Sequence, residues 1–171
     1  MSDNVYLGNP NLKKANTPHE FTEEQIVEFL KCKDDPVYFA RNYIQIVSLD
    51  EGLVPFNMYD FQEKLIHNFH KHRFNICKMP RQTGKSTTCV SYLLHYAVFN
   101  DNVNIAILAN KASTARDLLG RLQLAYENLP SWMQQGIISW NKGSLELENG
   151  SKISSNSTSS SAVRGGSYNV I

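Results

Sequence analysis

Phe74-Asn75-Ile76-Cys77-Lys78-Met79-Pro80-Arg81-Gln82-Thr83-Gly84-Lys85-Ser86 is the stretch on which the fold turns. Its first six residues read as a strand. A helix follows from about Lys85 to Phe99, apolar nearly all round through Val90, Tyr92, Leu93, Leu94, Tyr96, Ala97, Val98 and Phe99. A helix of that composition is buried rather than laid on a surface. Gly-Lys-Ser between a strand and a helix is the setting of a phosphate loop, which aims backbone N–H groups and a helix N-terminus at a polyphosphate. Gly84 lets the main chain approach the phosphates, Lys85 can neutralise the β/γ oxygens, and the Ser86 hydroxyl can ligate Mg²⁺. Met79 stands where the general pattern G-x-x-x-x-G-K-[ST] has its first glycine. The plainer alternative is a turn that contains Gly-Lys-Ser by chance. Arg81, inside the loop, is either solvated or an in-cis stabiliser of γ-phosphate charge.

Downstream, Val103–Ala109 is a nearly unbroken apolar strand, the pattern of a strand covered on both faces. Ser113 or Thr114 caps a further helix carrying Leu118, Leu119, Leu122 and Leu124, and Pro130 ends that run. Strand, helix, strand, helix implies right-handed crossovers and a parallel sheet. Beyond Trp140, Ser144–Glu148 alternates, Asn149-Gly150 is a hairpin turn and Ser151–Ser154 returns. Ser154–Ser161 reads as a loop or an irregular edge strand.

Upstream, Asp60 and Glu63 form a capping pattern for a helix whose apolar face is Phe61, Leu65, Ile66 and Phe69. His67, His70 and His72 near its end read as solvated, with no Cys or carboxylate beside them to complete a metal site. Ile44–Leu49 reads as a strand, with a turn at Asp50–Gly52. Asp35-Pro36 starts a short helix. Thr22–Gln25 is a capping box opening another, with Ile26, Val27, Phe29 and Leu30 expected on its buried side. Residues 1–20 read as a loosely held polar arm.

The whole chain has 171 residues, 42% hydrophobic and 19% charged, with a formal net charge of +1, ordinary for a soluble globular protein. Three cysteines without C-x-x-C spacing fit neither a disulfide framework nor a zinc site, and point to a reducing compartment. Neither a signal pattern nor an apolar run of the roughly 20 residues needed to span a membrane is present. The expectation is a soluble, intracellular protein.

Tyr59-Asp60-Phe61-Gln62, Pro80–Ser86, Ile105–Lys111, Leu129-Pro130, Trp140–Ser144 and Ala162-Val163-Arg164-Gly165 together resemble the large terminase subunit of tailed bacteriophages in its large-myovirus form. Order and spacing are similar from about Phe56 to the last residue. The resemblance implies the ATPase domain of a DNA-packaging motor, an α/β P-loop NTPase with a parallel sheet flanked by helices on both faces. A small helical lead-in over residues 1–55 would precede a partial ATPase domain over 56–171. It implies ATP and Mg²⁺ as cofactors, held by Pro80, Arg81, Gln82, Thr83, Gly84, Lys85, Ser86 and Thr87, with Ser86 on the metal. Gln62 resembles the family's adenine-contacting glutamine; as a bare sequence feature it could equally be a surface residue in a first helical turn. Arg81, Lys85 and Arg164 take the catalytic roles, Arg164 as an arginine reaching a neighbouring subunit's nucleotide; otherwise it is a loop arginine on solvent or DNA phosphate.

The implied partners are double-stranded DNA, the portal protein, the small terminase subunit and further copies in a ring, in the host cytoplasm and transiently on the procapsid. One departure stands out: the family strand beginning near Val170-Ile171 continues into an acidic pair that this chain does not contain. Inefficient ATP hydrolysis is therefore expected. A helicase fragment and a non-catalytic nucleotide-binding module are the alternatives.

Overall fold

A computed structural model describes residues 4–48, 50–158 and 166–171. The Arg164 expectation lies outside these residues, as do Val163, Gly165 and the end of the serine-rich stretch.

The amino-terminal arm is a docked hairpin. Strands β1 (Val5–Tyr6) and β2 (Asn9–Lys13) pair antiparallel. Leu7 and Gly8 turn between them, both at positive φ (47° and 78°), which a tight hairpin requires. The arm is fastened by a buried Leu12 and by Gln134. The Gln134 amide accepts from Lys13 N and donates to the carbonyls of Asn11, Tyr126 and Leu129. Local composition gave no sign of this, because the partner that holds the arm lies 121 residues away in sequence.

Helix α1 (Glu23–Asp34) opens on the expected capping box of Thr22 and Gln25, and α2 (Pro36–Tyr43) on Asp35, whose side chain accepts from the Val37 and Tyr38 amides. The buried side of α1 differs from expectation. Glu28 turns inward to accept from the Tyr38 and Tyr43 hydroxyls, Cys32 is fully buried one turn on, and Phe29 meets Phe99 edge-on. That rotation leaves Ile26, Val27 and Leu30 about half exposed. Strands β3 (Gln45–Ser48) and β4 (Gly52–Pro55) form a second hairpin, of which only the first strand was legible.

Helix α3 (Asp60–Lys71) is capped one residue earlier than the sequence suggests. Tyr59 is the N-cap, and Gln62 completes the box by accepting from the Tyr59 amide. Glu63 pairs instead with Arg41 of α2. Phe74–Met79 forms no strand: Ile76 is fully exposed and Phe74 nearly so. A β-type pattern becomes a strand only by pairing, and among the described residues this segment pairs with no strand.

Helix α4 (Lys85–Phe99) and strand β5 (Asn104–Ala109) lie where expected, with Ile105, Ala106 and Ile107 buried. Helix α5 (Ala112–Glu127) begins just after Lys111, slightly before the expected cap, and packs on α4 and the sheet. The sheet is completed by β6 (Ile137–Trp140), β7 (Ser144–Leu147) and β8 (Lys152–Ser157), in the order β5-β8-β7-β6. It is mixed rather than parallel. β5 and β8 run parallel, while β8, β7 and β6 are joined antiparallel, because the Asn149-Gly150 turn returns the chain directly. β8 extends to Ser157 as an interior strand, in which buried Ile153 and Ser155 alternate with the more exposed Lys152, Ser154 and Asn156. Val170 bridges Ile105 in parallel on the other side of β5. The result is a mixed α/β fold, a multi-stranded sheet flanked by helices.

His95 locks α4 to α1. It is 2% exposed, its Nε2 donates to the Cys32 carbonyl at 2.8 Å, and its Nδ1 has no partner among the described residues. Burial is the main cause that lowers its pKa to about 4, with His70 adding to the shift and the Cys32 carbonyl opposing it. The unfolded chain thus binds this proton near pH 6.5 and the folded one only near 4. Above pH 6.5 the residue costs nothing; stability falls as pH drops from 6.5 to 4, by about 3 kcal/mol at the lower end. Urea unfolding of His95→Gln should show a flatter decline over that window than the unsubstituted protein.

Candidate functional site

The loop Pro80–Gly84 and the first turn of α4 form a concentrated polar site. Gly84 is the N-cap of α4 at φ 71°, in the left-handed region, and a Cβ built there would collide with the Gln62 side-chain nitrogen. Gln82 is also at positive φ (60°), so the chain reverses twice in three residues. Thr88 is fully buried and its hydroxyl donates back to the Gly84 carbonyl at 3.1 Å, pinning the helix start from within. The loop closes on the Pro80 carbonyl, which accepts from Thr83 Oγ1 and Lys85 Nζ, both at 3.1 Å.

Gln62 joins this loop to α3. It is only 3% exposed, which removes the surface-residue alternative. Its Oε1 accepts from the Tyr59 amide at 2.9 Å and its Nε2 donates to the Thr83 carbonyl at 3.2 Å. Arg81 and Gln82 are exposed, and Thr83, Lys85, Ser86 and Thr87 half-buried. Pro80 to Thr87 and Gln62 are therefore brought together.

Helix α4 has no side-chain cap at its amino end, and among the described residues the amides of Lys85, Ser86 and Thr87 have no backbone or side-chain acceptor. Such orphan donors, with the positive end of the helix dipole, suit an anion. The local charge has the same sign. Between Glu63 and Asp101 there is no acidic residue, while Lys64, Lys71, Arg73, Lys78, Arg81 and Lys85 supply six cations. Among the described residues none of the six forms an ion pair. Three features escaped the sequence reading: the Thr88 pin, the burial of Gln62, and the stacked pair Tyr59–Phe61 (5.6 Å between centroids) beside it. Thr88 falls one helical turn after Gly84, a spacing that could have signalled the first.

Among known protein families, residues 76–171 match the one described as terminase large subunit, T4likevirus-type, N-terminal. The match covers more than half of the chain. The chain belongs to this family. In this terminase segment the matched residues begin just before the loop and run through α4, the sheet and Val170, so the polar site lies inside the family region. Among the described residues no group of three His, Cys, Asp or Glu side chains could hold a metal ion, and no helix is long and apolar enough to cross a membrane.

The glycine geometry has a measurable consequence. Gly84→Ala forces a left-handed Cβ into Gln62, and should destabilise the protein by about 1–3 kcal/mol. Gly120→Ala, in the exposed middle of α5 with open space around it, should instead stabilise by about 0.5–1 kcal/mol. Thermal melts of the two variants should move in opposite directions.

Proposed function

We propose that this chain is the ATP-binding portion of a viral DNA-packaging motor, the large terminase subunit, which couples ATP hydrolysis to translocation of double-stranded DNA into a procapsid. The observation that carries this is the uncapped amino end of α4, with Gly84 left-handed and Lys85 beside three free amides, in a chain of the terminase family. The site fits a Mg²⁺-bound triphosphate: among the described residues the amides of Lys85, Ser86 and Thr87 have no acceptor, and the Lys85 ammonium lies beside them. Pro80 to Thr87 would hold the phosphates, Lys85 the β/γ oxygens, and Ser86 the Mg²⁺. Arg81, exposed on the loop, is assigned to γ-phosphate charge, and Arg164 to a neighbouring subunit's nucleotide. When bound, the metal supplies charge neutralisation across the β and γ oxygens.

Portal protein, small terminase subunit and further copies of the chain are the proposed partners, and the host cytoplasm with transient procapsid docking the proposed location. Residues 1–55 serve as the lead-in and 56–171 as the nucleotide-binding unit.

Turnover by this chain alone should be slow. Phosphoryl transfer to water needs a carboxylate to orient and deprotonate the nucleophile. The acids after the loop are committed to other partners or lie on other elements. Glu146 pairs with Lys152 at 2.9 Å, Glu148 accepts from the Gly136 and Asn16 amides, and Glu127 accepts from Asn9. Asp117 lies on the exposed side of α5, and Asp101 precedes β5.

Two measurements test this reading. Calorimetry should give Mg-ATP binding that Lys85→Ala weakens more than tenfold, about 1.4 kcal/mol or more; equal affinities would sink the phosphate-loop assignment. Steady-state phosphate release should not rise above that of the same variant. Clear release from monodisperse protein would overturn the slow-turnover claim.

A further inference from the structure

We propose that Thr88 is a positioning residue for the anion site, its hydroxyl acting through the Gly84–Lys85 peptide; this rests on the phosphate-loop reading above. Thr88 is fully buried, one turn inside α4, so its side chain acts on a ligand only through the backbone. Its amide and its hydroxyl both donate to the Gly84 carbonyl, at 3.0 and 3.1 Å. A carbonyl oxygen has two lone pairs, and here one residue takes both. The amide bond alone is the ordinary helical link. A threonine hydroxyl that bonds back one turn does not strengthen a helix, and tends to bend it slightly.

What the hydroxyl adds is control of one peptide plane. The peptide is planar and trans, so the Lys85 N–H points opposite to the Gly84 C=O. With the carbonyl held along the axis toward Thr88, the Lys85 amide faces out of the helix start, where it has no acceptor among the described residues. Gly84 is where that plane is easiest to turn. It has no Cβ, it stands at φ 71° and ψ 10°, and glycine reaches other regions at little cost. Turned over, the peptide would withdraw the amide and present its carbonyl oxygen to the site. A polyphosphate would then meet a partial negative charge in place of a donor. One amide bond leaves the plane free to rock. A second donor, reaching the same oxygen from another direction, removes that freedom before any ligand arrives.

Thr88→Val keeps the β-branch, deletes the hydroxyl and leaves the Gly84 carbonyl its amide bond, so no buried group is orphaned. Calorimetry with Mg-ATP and with Mg-tripolyphosphate, and nitrogen relaxation of the ligand-free protein, read the effect. Positioning predicts binding of both ligands weakened about fivefold, the worth of one net hydrogen bond. It also predicts a lower order parameter at the Lys85 amide, with α5 unchanged. A merely structural hydroxyl would lower the melting temperature and leave the folded protein's affinity and Lys85 order alone. Thr88→Ser, which keeps the oxygen, should bind both ligands as the unsubstituted protein does. Undiminished affinity in Thr88→Val would overturn the inference, as would an equal loss in Thr88→Ser, where packing and not the hydroxyl would be the cause.

Should Thr88→Val fail to fold, the unsubstituted protein decides together with Thr88→Ser. The Thr88 hydroxyl proton, buried and bonded, should be resolved by NMR and persist when Mg-tripolyphosphate binds; its disappearance on binding would mean that the occupied site does without the bond. If the unsubstituted protein binds neither ligand, the phosphate-loop assignment fails, and the order of the Lys85 amide in ligand-free Thr88→Val still judges whether the hydroxyl sets that peptide.

Discussion

The two ends of helix α4 are treated oppositely, and much else in the structure depends on that asymmetry. Every α-helix leaves about four amides unpaired at its start and four carbonyls at its end. At the end of α4 the carbonyls are taken up by the protein. Asn149 donates to those of Ala97 and Asn100, Gln135 to that of Val98, and Asn100 to that of Tyr96. Asn149 belongs to the β7–β8 turn, so closing the helix also fixes where the sheet hairpin docks. At the start no side chain does the same work. Gly84 is exposed and Lys85, Ser86 and Thr87 only half-buried, so the free amides at this end stay within reach of water or an anion.

An apolar run made α4 legible to the residue, and β5 to within one residue. A helix satisfies its own hydrogen bonds, so a long apolar run with Gly84 before it and Asn100 after it can be read locally. The same is true of the capping box at Thr22 and the proline start at Pro36. Where local reading failed, a partner distant in sequence decided the outcome. Gln134 fastens the amino-terminal arm, Tyr43 draws Glu28 inward and rotates α1, and Arg41 takes Glu63 away from the cap. None of these long-range pairings leaves a trace in hydrophobic period or turn chemistry.

The site was legible in its residue types and less so in its geometry. Gly-Lys-Ser pointed to the loop as a candidate, and its glycine does stand in the left-handed region. What the residues could not reveal is that Gln62 is buried with both amide groups engaged. From sequence, a glutamine three residues after Tyr59 can be a cap partner, a surface residue or a base contact; its burial against Thr83 removes the surface reading, and its bond to the Tyr59 amide shows the cap partner. The cations around the loop were likewise visible one by one, yet a near-neutral total hid their segregation. Six of the 17 basic residues fall in a span holding none of the 16 acidic ones, which leaves the rest of the chain with an excess of acids. A field of that kind favours phosphate at the loop without contributing to the fold.

The expectation is a loop held between a strand and a helix, and of these two the helix alone is in place. Phe74–Met79 has the alternation of a strand and no pairing partner, so it offers the loop little restraint from the amino-terminal side. The restraint comes instead from below. Thr88 grips the Gly84 carbonyl from inside α4, and Gln62 grips Thr83 from α3. α3 is in turn tied to α4, through the Tyr92 hydroxyl on the Phe69 carbonyl, and to α2 through Arg41 and Glu63. The loop conformation can therefore persist while the preceding segment stands free, because its two fixed points lie on helices packed against each other.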